Sequence, residues 1–133
     1  MTTLVTGATG FVGSAVVRQL LAKQHAVAVL VRPNANRANL DGLDVTVYEG
    51  NLTDRQSLAR ALKHCSNLFH IAADYRLWTK HPQELYDNNV EGTRNIMLAA
   101  LDADVEKVVY TSSVATLGVF ANGTISDEDT PVT

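Results

Sequence analysis

Thr6-Gly7-Ala8-Thr9-Gly10-Phe11-Val12-Gly13 follows a short apolar run, Thr3 to Val5, and leads into Val12, Val16 and Leu20 at helical spacing, backed by Val17 and Leu21. A glycine-rich turn that leaves a strand and opens a helix is suited to phosphate. The first N–H groups of a helix lack intrahelical partners and carry the positive end of its dipole, so a pyrophosphate can rest on them. The three glycines act differently. Gly7 permits the tight turn, Gly10 lets the backbone approach the phosphates, and Gly13 lets the helix pack closely on the sheet. The phosphate loop of nucleotide hydrolases needs Lys and then Ser or Thr after its last glycine, whereas Ser14-Ala15 follow here, which argues against ATPase or kinase chemistry. The plain alternative, a merely flexible turn, does not account for the placement between strand and helix.

Working outward, strands and helices alternate. Ala26 to Val31 is a continuous apolar run, rich in β-branched residues and stopped by Pro33, as expected of a strand buried on both faces. Val45 and Val47 mark a third strand. Thr53-Asp54-Arg55-Gln56 then has the form of a capping box before Leu58, Ala61 and Leu62. Leu68 to Ala73 reads as a fourth strand. Pro82 opens the longest helix, with Leu85, Asn89, Gly92 or Thr93, Ile96 and Ala100 on one face, and Lys107 to Ser112 is a fifth strand. The polar tail, about 122–133, has no periodicity. Parallel strands joined by right-handed helical crossovers make an α/β doubly wound sheet, a Rossmann fold with strand order 3-2-1-4-5, filling residues 1–133 as one dinucleotide-binding domain. Strand five would then be an exposed edge, implying either a missing neighbour, which we favour, or self-association. The chain is accordingly expected to stop before the remaining strands and a substrate domain.

Bulk properties narrow the partners. The 133 residues are 46% hydrophobic and 19% charged, near globular averages, and no apolar run is long enough for a membrane span. A net charge of −3 with scattered basic residues offers no stripe for a nucleic-acid backbone. Cys65 is the only cysteine, and nothing at the N-terminus reads as an export signal, so a cytoplasmic location is expected. His25, His64, His70 and His81 are scattered over unrelated elements, and no metal site is expected. His70, within a strand, reads as a hydrogen-bonded core residue. Tyr75 and Trp78, beyond strand four, either touch a substrate or pack the loop.

The end of strand two discriminates between cofactors. An acid there would bond the ribose hydroxyls of NAD, but Val31 and Arg32 occupy it. A guanidinium suits an extra phosphate, so NADP is favoured over NAD, with Arg37 as a second contact; the alternative is an arginine that only solvates its loop.

The GxxGxxG spacing, Asn51-Leu52-Thr53-Asp54, Ala72-Ala73, Asn88-Asn89-Val90-Glu91-Gly92-Thr93 and Tyr110-Thr111-Ser112-Ser113 together resemble the extended short-chain dehydrogenase/reductases, the superfamily of NAD-dependent epimerases and dehydratases. His70 to Trp78 and Val109 to Gly118 are most similar to the hopanoid-associated sugar epimerases, with dihydroflavonol-4-reductase-like proteins as near relatives. The resemblance implies that Phe11 and Val12 line the pyrophosphate through their backbone, that Asn51 and Leu52 flank the adenine, and that Ala72 and Ala73 pass beneath the nicotinamide ribose near Asn88. Asn51 replaces a more usual Asp, which removes a carboxylate acceptor but keeps an amide oxygen. For the two alanines, simple helix–sheet packing is an equal alternative. The resemblance also makes Ser113 the catalytic hydroxyl that bonds a substrate oxygen, with Ser112 and Thr111 weaker candidates; without it, Thr-Ser-Ser reads as hydroxyls bonded to local backbone.

That family relays protons through a Tyr with a Lys four residues on, the Lys lowering the phenol's pKa. Here Tyr48, Tyr75, Tyr86 and Tyr110 are followed at that distance by Leu52, Thr79, Val90 and Val114. The expectation is therefore the amino-terminal, cofactor-binding part of an NADP-dependent epimerase or reductase acting on a sugar nucleotide or related small molecule, inactive by itself. The rival expectation is a non-catalytic NADP-binding sensor or scaffold.

Overall fold

A computed structural model describes residues 1–132; Thr133, the last residue of the expected domain and tail, lies outside the described residues. Five strands, β1 (Thr2–Thr6), β2 (Ala26–Val31), β3 (Thr46–Glu49), β4 (Cys65–His70) and β5 (Lys107–Tyr110), form one parallel sheet in the order β3-β2-β1-β4-β5. The register aligns Thr6 with Leu30 of β2 and with His70 of β4, so the central strands end together and their loops open on one edge of the sheet. That alignment sets up the site.

Side chains alternate across the sheet and feed two cores. Leu4, Ala28, Leu30 and Leu68 pack on one face against α2 (Arg55–Leu62) and α4 (Gly92–Asp102), through Leu58, Leu62, Ile96 and Ala100. Val5, Val27, Val29 and Val31 meet Val17 of α1 (Phe11–Ala22) and Leu40 on the other. Burying each of the larger aliphatic side chains contributes about 1.5–3 kcal/mol before chain entropy is set against it.

Several boundaries differ from the sequence expectations for physical reasons. The buried stripe of α1 runs through Gly13, Ser14 and Val17, with Leu20 and Leu21 partly covered, whereas Val12 is exposed at the helix entrance. The cap of α2 is Asp54, not Thr53: its carboxylate accepts from the Gln56 and Ser57 N–H groups. Strand four begins at Cys65 and stops at His70, because Ile71 and Ala72 donate their N–H groups to the Thr6 side chain and no longer pair with a strand. Strand five stops at Tyr110 rather than Ser112. The long helical segment is one run in three parts: α3 (Pro82–Tyr86), a π turn over Asp87–Glu91, and α4.

As expected of an edge, β5 pairs with β4 alone among the described residues, and all four of its residues are exposed. The tail carries turns but no helix or strand among the described residues from 117 to 132. No described helix is long and apolar enough to cross a membrane.

Candidate dinucleotide site

The β1–α1 turn is built by steric necessity. Gly7 has φ +71°, and a Cβ there would stand 2.7 Å from the Ala72 nitrogen; a Cβ on Gly13 would stand 2.0 Å from the Gly7 carbonyl oxygen. Gly13 therefore packs against the turn itself, a sharper requirement than helix–sheet packing in general. Gly10 caps α1 without a side-chain hydrogen bond, so the first helical N–H groups remain available to an anion.

Around this helix end lies a cleft of about 920 Å³. Gly7, Gly10, Phe11, Val12 and Gly13 line its middle, Arg32, Asn51 and Leu52 one end, and Ala72, Ala73 and Asn88 the other. The structure thus brings eleven of the expected cofactor residues together, and Arg37, the expected second contact, is not among the lining residues. Ser113 is not among the lining residues; Thr111, two residues earlier, is. The Ser113 hydroxyl accepts from the Ala115 N–H at 3.1 Å, starting a short 3-10 turn over Val114–Thr116, and the side chain is exposed.

Arg32 is exposed at the mouth. Arg37 is paired with Glu49 at the end of β3, so much of its charge is already answered. The Asn51 amide oxygen accepts from the Thr53 N–H at 3.3 Å, and the buried Ser57 hydroxyl receives the Asn51 N–H, which holds this corner in place. Among the described residues no group of His, Cys, Asp and Glu gathers into a metal-holding cluster.

Beneath the cleft runs a chain that sequence reasoning only touched. Thr6 Oγ1 accepts the Ile71 and Ala72 N–H groups at 3.1 and 3.2 Å, which directs its own proton to His70 Nδ1 at 2.8 Å. On this hydrogen-bond assignment the ring proton sits on Nε2 and is donated to Thr93 Oγ1 at 3.0 Å. His70 is fully buried, and burial pulls its pKa down to about 4, so the ring is neutral near pH 7. Tyr110 stacks on it with centroids 5.4 Å apart.

At the far end, Asp74 accepts from the Arg76 guanidinium at 2.8 and 2.6 Å and from Asn88 Nδ2 at 3.3 Å. The Arg76 hydrogen bonds, above all, hold the Asp74 carboxyl down at about 2. Arg76 also reaches Glu84 of α3 at 3.3 Å. Tyr75 lines the cleft and is 90% exposed; Trp78, 72% exposed, does not line it, and neither is covered by loop packing.

This geometry agrees with kinship. Residues 3–133 match the model of the NAD dependent epimerase/dehydratase family, and the chain belongs to that family. It is 46% identical over 124 residues, 93% of its own length, to a Synechocystis sp. protein bearing the provisional name dihydroflavonol 4-reductase, and covers 36% of that protein. With sterol demethylase protein B of Methylococcus capsulatus it shares 45% identity over 92% of the chain and 38% of the relative. Among solved structures, gox2253 matches at TM-score 0.93 and 55% identity over 99% of this chain and 40% of that one. The Thermus thermophilus UDP-glucose 4-epimerase, solved with NAD, matches at TM-score 0.87 and 28% identity, over all of this chain and 44% of that one. The chain thus spans well under half the length of these relatives.

Proposed function

We propose that the cleft binds a nicotinamide dinucleotide, NADP in preference to NAD, as the cofactor-binding part of an oxidoreductase or epimerase. The observation that carries this reading is the convergence of an uncapped helix N-terminus, two sterically obligatory glycines and Arg32 on one cleft at the ends of β1, β2 and β4. Phe11 and Val12 N–H groups hold the pyrophosphate, Arg32 meets the 2′-phosphate, Asn51 and Leu52 flank the adenine, and Ala72, Ala73 and Asn88 border the nicotinamide half. When bound, the cofactor supplies hydride exchange with a carbon of a sugar-nucleotide or related carbonyl or hydroxyl substrate. Ser113 donates to the substrate oxygen, which requires its hydroxyl to leave the Ala115 N–H or to serve both. The location is cytoplasmic.

These 133 residues alone turn over slowly or not at all, because none of the four tyrosines has a lysine four residues on to tune its phenol. The exposed β5 edge supports a second reading, a non-catalytic NADP sensor or scaffold that self-associates there. Titration with NADPH and NADH tests the cofactor reading. Arg32→Asp is expected to move the preference toward NADH by about tenfold or more, through loss of a phosphate contact worth about 1.5–3 kcal/mol. An unchanged NADPH/NADH ratio would remove Arg32 from the site. NADPH binding without turnover in the longest natural form of the protein favours the sensor.

A further inference from the structure

The connection from β2 to β3 brings Arg32 to one end of the cleft, and the same connection is tied to the glycine turn at the middle. Asn39, in a 3-10 turn over Ala38–Leu40, makes the tie. Its Nδ2 donates to the Thr9 carbonyl at 2.8 Å, and its own carbonyl accepts from the Arg18 guanidinium of α1 at 2.8 Å. The Thr9–Gly10 peptide is thereby held on both sides, because its N–H donates to the Gly7 carbonyl at 3.0 Å. A peptide unit is planar, so holding its two polar ends fixes its orientation, and this one leads directly into the uncapped start of α1. The rest of the connection delivers Asn39 to that place. The Ala35 N–H closes a turn on the Arg32 carbonyl at 3.0 Å, Asn36 Oδ1 accepts the Ala38 N–H at 2.9 Å, and Leu40 is buried in the core that contains Val17.

We infer that Asn39 is a positioning residue for cofactor choice: it holds the connection that bears Arg32 in register with the glycine turn, so that the 2′-phosphate and the pyrophosphate of one NADP are met together. This inference rests on the cofactor reading above. Asn39 is not among the residues lining the cleft and acts through its neighbours, Thr9 on the turn and Ala35 on the connection, which do line it. The physical reason is entropy. Arg32 is exposed, and a loop that must first be ordered subtracts that cost from the phosphate contact, whereas a loop already held does not. NAD has no 2′-phosphate and draws on the glycine turn alone, so the tie matters less to it.

The test compares the two cofactors. The purified protein is titrated with NADP⁺ and with NAD⁺ by calorimetry. Asn39→Ala is expected to weaken NADP⁺ about fivefold and NAD⁺ by less than about twofold, the scale of one lost hydrogen bond felt only where the 2′-phosphate is bound. With Arg32→Ala already in place, Asn39→Ala should change NADP⁺ by less than about twofold, because no guanidinium remains to be positioned. Asn39 is exposed, so the Ala variant is expected to fold; Arg18→Ala, which frees the other side of the tie, carries the same comparison if it does not. Equal losses for the two cofactors, no loss for either, or the same loss with and without Arg32 overturn the inference and leave the cofactor reading standing. A wild-type protein that binds neither cofactor, or holds NAD⁺ as tightly as NADP⁺, sinks the NADP reading and the inference with it.

Discussion

β2 and β5 are made of similar residues and meet opposite fates. Ala26–Val31 runs between β1 and β3, and Val27 to Val31 are all buried. Lys107–Tyr110 has β4 on one side only, and Val108, Val109 and Tyr110 are 42, 48 and 54% exposed. An apolar, β-branched run states a preference for extended chain and for cover; whether cover exists depends on what lies beside it. The contrast divides the molecule. On the β2 side the glycine turn, Arg32, Asn51 and Leu52 line the cleft as expected from sequence, while Arg37 is turned to Glu49 instead. On the β5 side Ser113 has an exposed hydroxyl engaged with its own backbone.

The strongest way to break this contrast is to damage the finished side. Gly13→Val puts side-chain atoms where a Cβ alone would stand 2.0 Å from the Gly7 oxygen, and backbone must move. The expected result is loss of dinucleotide binding in titration and a loss of about 4 kcal/mol or more in denaturant unfolding, beyond ordinary overpacking. Leu68→Ala, at the fully buried centre of β4, should cost about 3 kcal/mol in the same experiment.

His70 lies between the two sides, bonded to Thr6 and stacked on Tyr110. Its folded pKa, about 4, is below the ordinary value of 6.5, so between those values the unfolded chain holds more protons than the folded one. Stability is therefore whole above pH 6.5 and falls as the pH drops toward 4, by about 3 kcal/mol in total. His70→Gln should flatten the slope of stability against pH across that window; an unchanged slope would mean that the imidazole is not its source.

The smallest effect is expected on the open side. Val109→Ala should change stability by less than about 0.5 kcal/mol if β5 remains uncovered in solution. A loss of about 1.5 kcal/mol or more would mean that something buries this edge.

Much of this was legible from the residues in order. The alternation of strands and helices, the limits of β2 and the place of the glycine turn depend on local periodicity and on contacts a few residues apart. The cap of α2 was found one residue off, since Thr53 and Asp54 are both competent and only the backbone conformation chooses Asp54. The end of β4 was overrun, because Ile71 to Ala73 continue an apolar pattern while Thr6, more than sixty residues earlier, takes the Ile71 and Ala72 N–H groups. Asn89 read as one position on a helical face. No pattern at α-helical spacing marks a π turn.

By itself the sequence determined the sheet, its order and the cleft at the head of α1. Strand and helix periods, and three glycines spaced for a turn and a close approach, admit few other arrangements. Tertiary structure alone decided the rest: that Thr6, His70 and Thr93 form one hydrogen-bonded chain, that Asn88 and Asn89 share Asp74, and that Arg37 is paired with Glu49. The physical reason is range. A hydrogen bond is fixed by a few tenths of an ångström between atoms brought together from distant parts of the chain, and residue type alone leaves the partner open.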